Sequence, residues 1–180
     1  MEAAAQAGQP GVLQMGSEFS PPLKIECGIG GKIGVSDWFL IDQDRLNKFG
    51  EATDDLDPMH VDSGWCKRHS PFGQTIAFGF LTLSLLTRFS HEILAWPEGL
   101  HSCGGYALNY GFDHVRFLAP VPVDTRIRCH MTLLDRELRA NDSTLYKFGI
   151  TIEIENQAQP ALTADWLALW VAGETRLLGR

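Results

Sequence analysis

Alternation between apolar and polar side chains dominates the carboxyl-terminal half of the chain. In Thr144–Glu155, every second residue from Tyr146 to Ile154 is apolar, and Thr125–Leu133 repeats the pattern. A period of two directs one side of an extended chain into a core and the other side toward water. Both stretches therefore predict half-buried antiparallel strands. Two further strands are predicted, one with a less regular alternation and one apolar on both faces, as a central strand would be: Gly105–Ala119 and Ala161–Val171.

An uncharged run precedes these strands. Ser70–Thr87 contains no charged residue and approaches the length of a membrane span, but Pro71 and Gly73 interrupt it. Ala77–Leu94 places apolar side chains on nearly every face of a helix, which is typical of a buried helix. The sequence thus predicts an α+β domain with one long buried helix against an antiparallel sheet.

The amino-terminal part predicts shorter elements after a tail. Residues 1–22 are rich in Ala, Gly, Gln and Pro, which predicts a disordered tail, and Gly-Ser-Glu-Phe at 16–19 resembles a cloning remnant. Residues 23–180 are predicted to form one domain, with ordered structure beginning near Ile29–Val35 and a short strand around Trp38–Leu40. Asp42 is a predicted N-cap, and Asp57 cannot continue a helix because Pro58 follows it.

Composition narrows the class of partner. The 180 residues carry 22 acidic and 15 basic side chains, a formal net charge of −7. This balance argues against nucleic-acid binding and against a basic membrane-surface patch. The four cysteines lack the spacing of a zinc site, and no secretory signal is evident, so we expect free thiols and a cytoplasmic protein.

The acidity is concentrated in one segment. Between Asp42 and Asp62, seven acidic and two basic side chains account for −5 of the net charge. The segment contains a carboxylate and an imidazole five residues apart, Asp55 and His60, and such a pair can act as general base and acid on one water. Without further context, turn and cap formation would be the commoner explanation of these aspartates. A calcium loop of EF-hand type would need a glycine and a distal glutamate that are absent, so no metal is expected.

Three blocks of the sequence resemble the MaoC-like dehydratases, the R-specific enoyl-CoA hydratase family. The first, Asp55-x-Asp57-Pro58-x-His60-x-Asp62, is similar to the family motif D-x-[ND]-P-[LIM]-H-x-D. The second runs from Ser70 to Ser84 and resembles P-F-G-x-T-I-A-H-G-[FY]-L-T-L-S; the third is Asn109–Val121. The resemblance spans about Gly34 to Val171 and is greatest for the branch that includes nodulation protein N.

This resemblance implies a hot-dog fold, a homodimer whose sheets join edge to edge, and a set of site residues. Asp55 and His60 match the catalytic pair, Gly79 matches the helix-start glycine whose N–H faces the thioester carbonyl, and Ser84 matches a serine near the pair in some relatives. The Gly79 assignment also has a physical basis, because the first N–H groups of a helix are unpaired and carry partial positive charge.

Two residues depart from the family pattern. Phe78 stands where the family usually has His, which removes a polar group near the helix start. Asp57 replaces the commoner Asn and adds a negative charge beside Asp55. Both are candidates for supporting roles in the active site.

The function that follows from the resemblance is reversible hydration of a trans-2-enoyl-CoA to the (3R)-3-hydroxyacyl-CoA. The substrate carries the CoA, and no separate cofactor is expected. Two alternatives stay open: an acyl-CoA thioesterase of the same fold, and a non-catalytic subunit that binds acyl thioesters, which Phe78 keeps in consideration.

Overall fold

The computed structural model describes residues 25–94, 105–139 and 143–172. The predicted tail at 1–22 lies outside these residues. The described elements, in chain order, are β1 (Lys32–Val35), β2 (Phe39–Ile41), α1 (Gln43–Thr53), α2 (Pro58–Val61), α3 (Ser63–His69), α4 (Gly79–Ser84), α5 (Leu86–Ile93), β3 (Gly105–Phe117), β4 (Thr125–Arg139), β5 (Ser143–Ile154) and β6 (Leu162–Ala172).

The strands form one antiparallel sheet in the order β1-β4-β5-β6-β3, with β2 also paired to β4. The predicted alternation of β4 and β5 is confirmed, since Ile127 pairs with Ile154 and both are fully buried. Between β5 and β3 lies β6, as its apolar character predicted, and its Trp166 and Trp170 belong to the core. The α+β class predicted from the periodicities is therefore confirmed.

The predicted helix over Ala77–Leu94 is two helices in the structure. Leu85 separates α4 from α5, although its N–H still donates to Leu81 O (3.2 Å) and its carbonyl accepts from Phe89 N (3.0 Å). The Ser84 hydroxyl donates to the same Leu81 oxygen at 2.8 Å. A serine that bonds back to its own helix competes with the backbone ladder and bends the helix, which accounts for the interruption.

Burial of this helical pair is also one-sided rather than complete. Leu81, Leu86 and Phe89 pack into the core on the inner face of the sheet, and the Phe39 ring meets Phe89 edge-on at 6.1 Å. Phe80, in contrast, is 71% exposed. Within the described residues, no helix combines the length and the hydropathy that crossing a bilayer requires.

Among the described strands, β3 lies at one end of the sheet, and its outer edge pairs with none of them. Its 13 residues include a series of large apolar or aromatic side chains that are 38–55% exposed: Tyr106, Leu108, Tyr110, Phe112 and Phe117. A long apolar edge strand is a surface on which another strand can pair.

Candidate active site

Three aspartates build the acidic segment by capping successive helices. The Asp42 carboxylate accepts from Arg45 N (2.8 Å) at the start of α1, which confirms the predicted cap. Asp57 accepts from Met59 N and Asp62 from Trp65 N, both at 2.8 Å, and they cap α2 and α3. Pro58 occupies the first turn of α2, where its fixed φ fits and no N–H is needed. The capped starts at Asp57 and Asp62 place two short helices directly after α1, and the first of them, α2, carries His60.

His60 is held in one orientation by a backbone carbonyl. Its Nδ1 lies 2.7 Å from the carbonyl oxygen of Ile76, which can only accept a hydrogen bond. Nδ1 therefore carries the proton, and in the neutral ring Nε2 is the nitrogen with a free lone pair. One face of the half-buried imidazole lies against the Phe78 ring, with centroids 3.9 Å apart.

Asp55 follows the end of α1. The helix ends at Thr53, and its C-cap residue Asp54 has a left-handed φ of 55°. The N–H of Asp55 donates to Gly50 O at 3.0 Å. The Asp55 side chain is exposed, and its Oδ1 accepts a long hydrogen bond of 3.4 Å from Asp57 N. The turn thus fixes the backbone of Asp55 and leaves most of its carboxylate accessible.

His60 and Gly79 share one cavity of about 290 Å³. A Cβ added to Gly79 would lie 3.0 Å from the Phe117 ring, so the glycine allows this aromatic wall to approach the start of α4. The described residues that line the cavity are mostly apolar and do not include Asp55: His60, Ile76, Ala77, Gly79, Thr82, Phe117, Leu118, Ala119, Pro120, Val121 and Ala161.

The other predicted site residues, Phe78, Asp57 and Ser84, are not among the residues that line this cavity. Phe78 is behind His60, and Asp57 caps α2 with its carboxylate. Ser84 lines a separate cavity of about 280 Å³, together with Phe80 and Trp166, and its hydroxyl is bonded within the helix. Among the described residues, no group of three His, Cys, Asp or Glu side chains is arranged to hold a metal ion.

Two polar residues near His60 were not identified from the sequence. Gln43 Nε2 donates to the His60 carbonyl oxygen at 2.9 Å, and Gln43 Oε1 accepts from the hydroxyl of the fully buried Thr75 at 2.5 Å. For Thr75 the available signals were its place in the second block that resembles the family and its position directly before the apolar residues 76–78. Sequence separations of 17 and 32 residues hide such bonds from any local pattern.

A buried thiol lies under α2. Cys66 donates from Sγ to the Pro58 carbonyl oxygen at 3.3 Å, and burial raises the pKa of this thiol above its ordinary value. A thiol with a raised pKa stays protonated at neutral pH and is a poor nucleophile. The fully buried Cys66 is therefore part of the packing beneath the site.

Comparison with known proteins identifies the family of the chain. Residues 24–149 match the family model described as MaoC like domain. The chain is 40% identical over 141 residues to nodulation protein N of Rhizobium meliloti, covering 78% of this chain and 85% of that protein. It is 38% identical over 154 residues to 3-hydroxyacyl-thioester dehydratase Z of Mycobacterium tuberculosis, covering 86% of this chain and 98% of that protein.

Among solved structures, the fold is similar to R-hydratase PhaJ1 from Pseudomonas aeruginosa. The TM-score is 0.58 at 20% identity, and the superposition covers 83% of this chain and 84% of that one. This likeness concerns the fold, whereas the family is shown by the sequence matches over most of the chain. The chain belongs to the MaoC-like dehydratase family and has a single-domain hot-dog fold.

Proposed function

We propose that the protein catalyses reversible hydration of a trans-2-enoyl-CoA to the (3R)-3-hydroxyacyl-CoA. The observation that carries the proposal is the state of His60: Ile76 holds the Nδ1 proton, and the ring lies on the wall of a mostly apolar cavity. A neutral imidazole with a free Nε2 is suited to take a proton from water. The dehydratase and R-hydratase names of two similar proteins support the same reaction class and the R configuration.

In the proposed mechanism, Asp55 and His60 hold one water between them. His60 Nε2 takes a proton from this water as its oxygen bonds to C3 of the enoyl thioester. The C2–C3 double bond opens, and negative charge moves onto the thioester oxygen as an enolate. The Asp55–His60 pair returns the proton to C2, so that both additions occur on the same face. In the reverse direction the same groups remove the C2 proton and release water.

Gly79 is the proposed partner of the enolate oxygen. It is the first residue of α4, and the side chain of the N-cap residue, Phe78, makes no hydrogen bond to the helix start. A backbone N–H at this position can stabilise developing negative charge on an oxygen. The role of Asp55 rests on its place in the family motif and on its exposed carboxylate beside α2.

We also propose that the protein is a homodimer joined through β3. The edge strand exposes Leu108, Tyr110 and Phe112 along 13 residues, and Phe80 of α4 is exposed as well. Contiguous apolar surface of this kind on a sheet edge favours pairing with a second strand. Two such edges related by a twofold axis would join the sheets and cover these side chains.

The deciding experiment is an assay with crotonyl-CoA and longer or branched homologues, following loss of the enoyl-thioester absorbance and the chirality of the product. We expect hydration to the 3R product, and loss of turnover in Asp55→Asn and His60→Gln proteins that remain folded. Release of free thiol would instead indicate a thioesterase. Unchanged absorbance with every chain length would favour a non-catalytic binding subunit.

A further inference from the structure

Phe78 occupies a position where a polar residue usually stands. It is the N-cap residue of α4, with φ −59° and ψ 135°, and its side chain makes no capping hydrogen bond. Ser, Thr, Asp and Asn are preferred at N-caps because their side chains bond to the first free N–H groups. Phe78 forgoes that bond, and its ring is instead 97% buried, since only 3% of the residue is exposed. The role of Phe78 therefore depends on the residues against which its ring packs.

The Phe78 ring lies between α2, which carries His60, and α1, the helix whose end leads into the Asp55 turn. On one side it lies against the His60 imidazole of α2, with centroids 3.9 Å apart and planes 32° apart. On another side it meets Phe49 of α1, with centroids 5.1 Å apart. The Ile76 carbonyl restrains Nδ1 of His60, and the flat face of Phe78 restrains the plane of the imidazole. Together the two contacts define where Nε2 points.

Gly50 makes this packing possible. A Cβ at Gly50 would lie 2.8 Å from the Asp55 carbonyl oxygen, 3.2 Å from Val61 Cγ1 and 3.3 Å from Phe78 Cζ. Glycine is unfavourable inside a helix, and here its missing side chain leaves a notch in α1 that accepts both the Asp55 turn and the Phe78 ring. The backbone of Asp55 and the ring of His60 therefore pack against one shared unit, formed by Gly50 and Phe78.

We propose that Phe78 is a positioning residue for the reaction proposed above. Its planar ring, seated in the Gly50 notch, holds the His60 imidazole so that Nδ1 stays on Ile76 and Nε2 is left to the substrate water. The inference rests on the proposed function of Asp55 and His60. The proposed role depends on the planar shape of the Phe78 ring. A residue that only filled the core would depend on its volume instead.

Two variants separate these roles because they keep different properties of Phe78. Phe78→Leu keeps an apolar side chain but has no flat face, whereas Phe78→His keeps a planar ring but is polar and smaller. Tyr is unsuitable, because Cζ lies 3.3 Å from the position that a Gly50 Cβ would occupy, and a hydroxyl on Cζ would add a polar atom to this filled notch. The matched control is Phe89→Leu, the same substitution at a fully buried ring that packs against Phe39.

For Phe78→Leu we expect kcat to fall by about tenfold or more with KM changed by less than about twofold, because misplacing a catalytic group by a fraction of an ångström slows chemistry more than binding. Phe78→His should keep kcat within about threefold of the wild type even if its melting temperature falls. Phe89→Leu should lower the melting temperature and leave kcat unchanged. Nitrogen-15 NMR of the His60 ring should show the Nδ1–H tautomer in the wild type and in Phe78→His, and a tautomer mixture in Phe78→Leu.

The opposite pattern overturns the inference: wild-type kcat in Phe78→Leu, or a tenfold loss in folded Phe78→His. If Phe78→Leu does not fold, the kcat of Phe78→His alone decides. Asp55→Asn and His60→Gln, measured beside them, keep the two proposals apart. Turnover in those proteins would refute the proposed function, whereas their inactivity together with an unimpaired Phe78→Leu would refute only the positioning role.

Discussion

The side-chain amide of Gln43 donates a hydrogen bond of 2.9 Å to the backbone carbonyl oxygen of His60. The same side chain accepts from the Thr75 hydroxyl through Oε1. Gln43, at the first position of α1, thus ties α2 to the chain before α4, and the residue after Thr75 supplies the carbonyl that holds the His60 ring. One amide fixes both backbone segments on which the orientation of His60 depends.

Replacing Gln43 should therefore affect stability and turnover together. In Gln43→Leu the buried Thr75 hydroxyl loses its acceptor and the His60 carbonyl loses a donor. Leaving such groups unpaired costs about 2 kcal/mol of the free energy of unfolding, and we expect kcat to fall as well. Urea unfolding and the hydration assay measure the two effects.

A double-mutant cycle provides the control for this prediction. Thr75→Val removes only the hydroxyl partner, so it should cost less than Gln43→Leu, and the double variant should cost less than the sum of the two. If the losses of unfolding free energy were additive, the hydrogen bond between Gln43 and Thr75 would contribute no interaction energy of its own.

Substitution of Gly79 tests whether turnover depends on the close approach of the Phe117 ring to the start of α4. In Gly79→Ala the new methyl group would lie 3.0 Å from the Phe117 ring, which is 49% exposed and can move outward. We expect little change in melting temperature, but a loss of about tenfold or more in kcat/KM, because the displaced ring and the methyl group disturb the substrate position.

The steric explanation can be checked by making room for the methyl group. In a Gly79→Ala, Phe117→Leu double variant the shorter side chain should relieve the contact and recover part of the lost kcat/KM. A double variant no better than Gly79→Ala would show that the methyl group acts on the substrate directly and not through Phe117.

Local patterns predicted those parts of the molecule that depend on neighbouring residues. The strand alternation and the Asp42 cap depend on contacts within a few positions, and both were confirmed. The break at Leu85 was missed because helix periodicity does not register the Ser84 hydroxyl that bonds back to Leu81. The contact of Phe78 with His60 joins residues 18 positions apart, and only the folded chain defines it.

Glu153 provides a prediction about pH and stability. Its carboxylate accepts hydrogen bonds from Arg128 Nε at 2.7 Å and from His130 Nε2 at 2.6 Å. Both bonds hold the pKa of Glu153 below its ordinary value of 4.5, and the bond from Arg128 has the larger effect. A carboxyl group whose pKa is lowered on folding stabilises the protein at pH above its unfolded pKa, and this stabilisation disappears as the pH falls through the folded pKa.

Glu153→Gln should therefore lower the free energy of unfolding at pH 7, and this difference from the wild type should disappear in acid. The side chain is about one-third exposed, so we expect a difference of about 1 kcal/mol or less at neutral pH, narrowing progressively below about pH 4.5. Thermal unfolding from pH 3 to pH 7 measures it, and the comparison repeated in a His130→Gln background isolates the Arg128 contribution. A difference that grew as the pH fell would contradict the sign of the shift.

The proposed dimer can be tested by a charge placed on the β3 edge. Leu108 is 47% exposed on β3, and Leu138 is 69% exposed near the end of β4, which lies inside the sheet order. If β3 pairs with β3 of a second copy, Leu108→Lys would bring two like charges to the new interface and should shift the dimer toward monomer in sedimentation experiments. Leu138→Lys makes the same change on β4, away from the β3 edge, where Leu138 already pairs with Thr144 of β5. A dimer joined through β3 should therefore be unaffected. A Leu108→Lys protein that stays as dimeric as Leu138→Lys would refute pairing through β3, because an interface that tolerates the charge must lie on another surface.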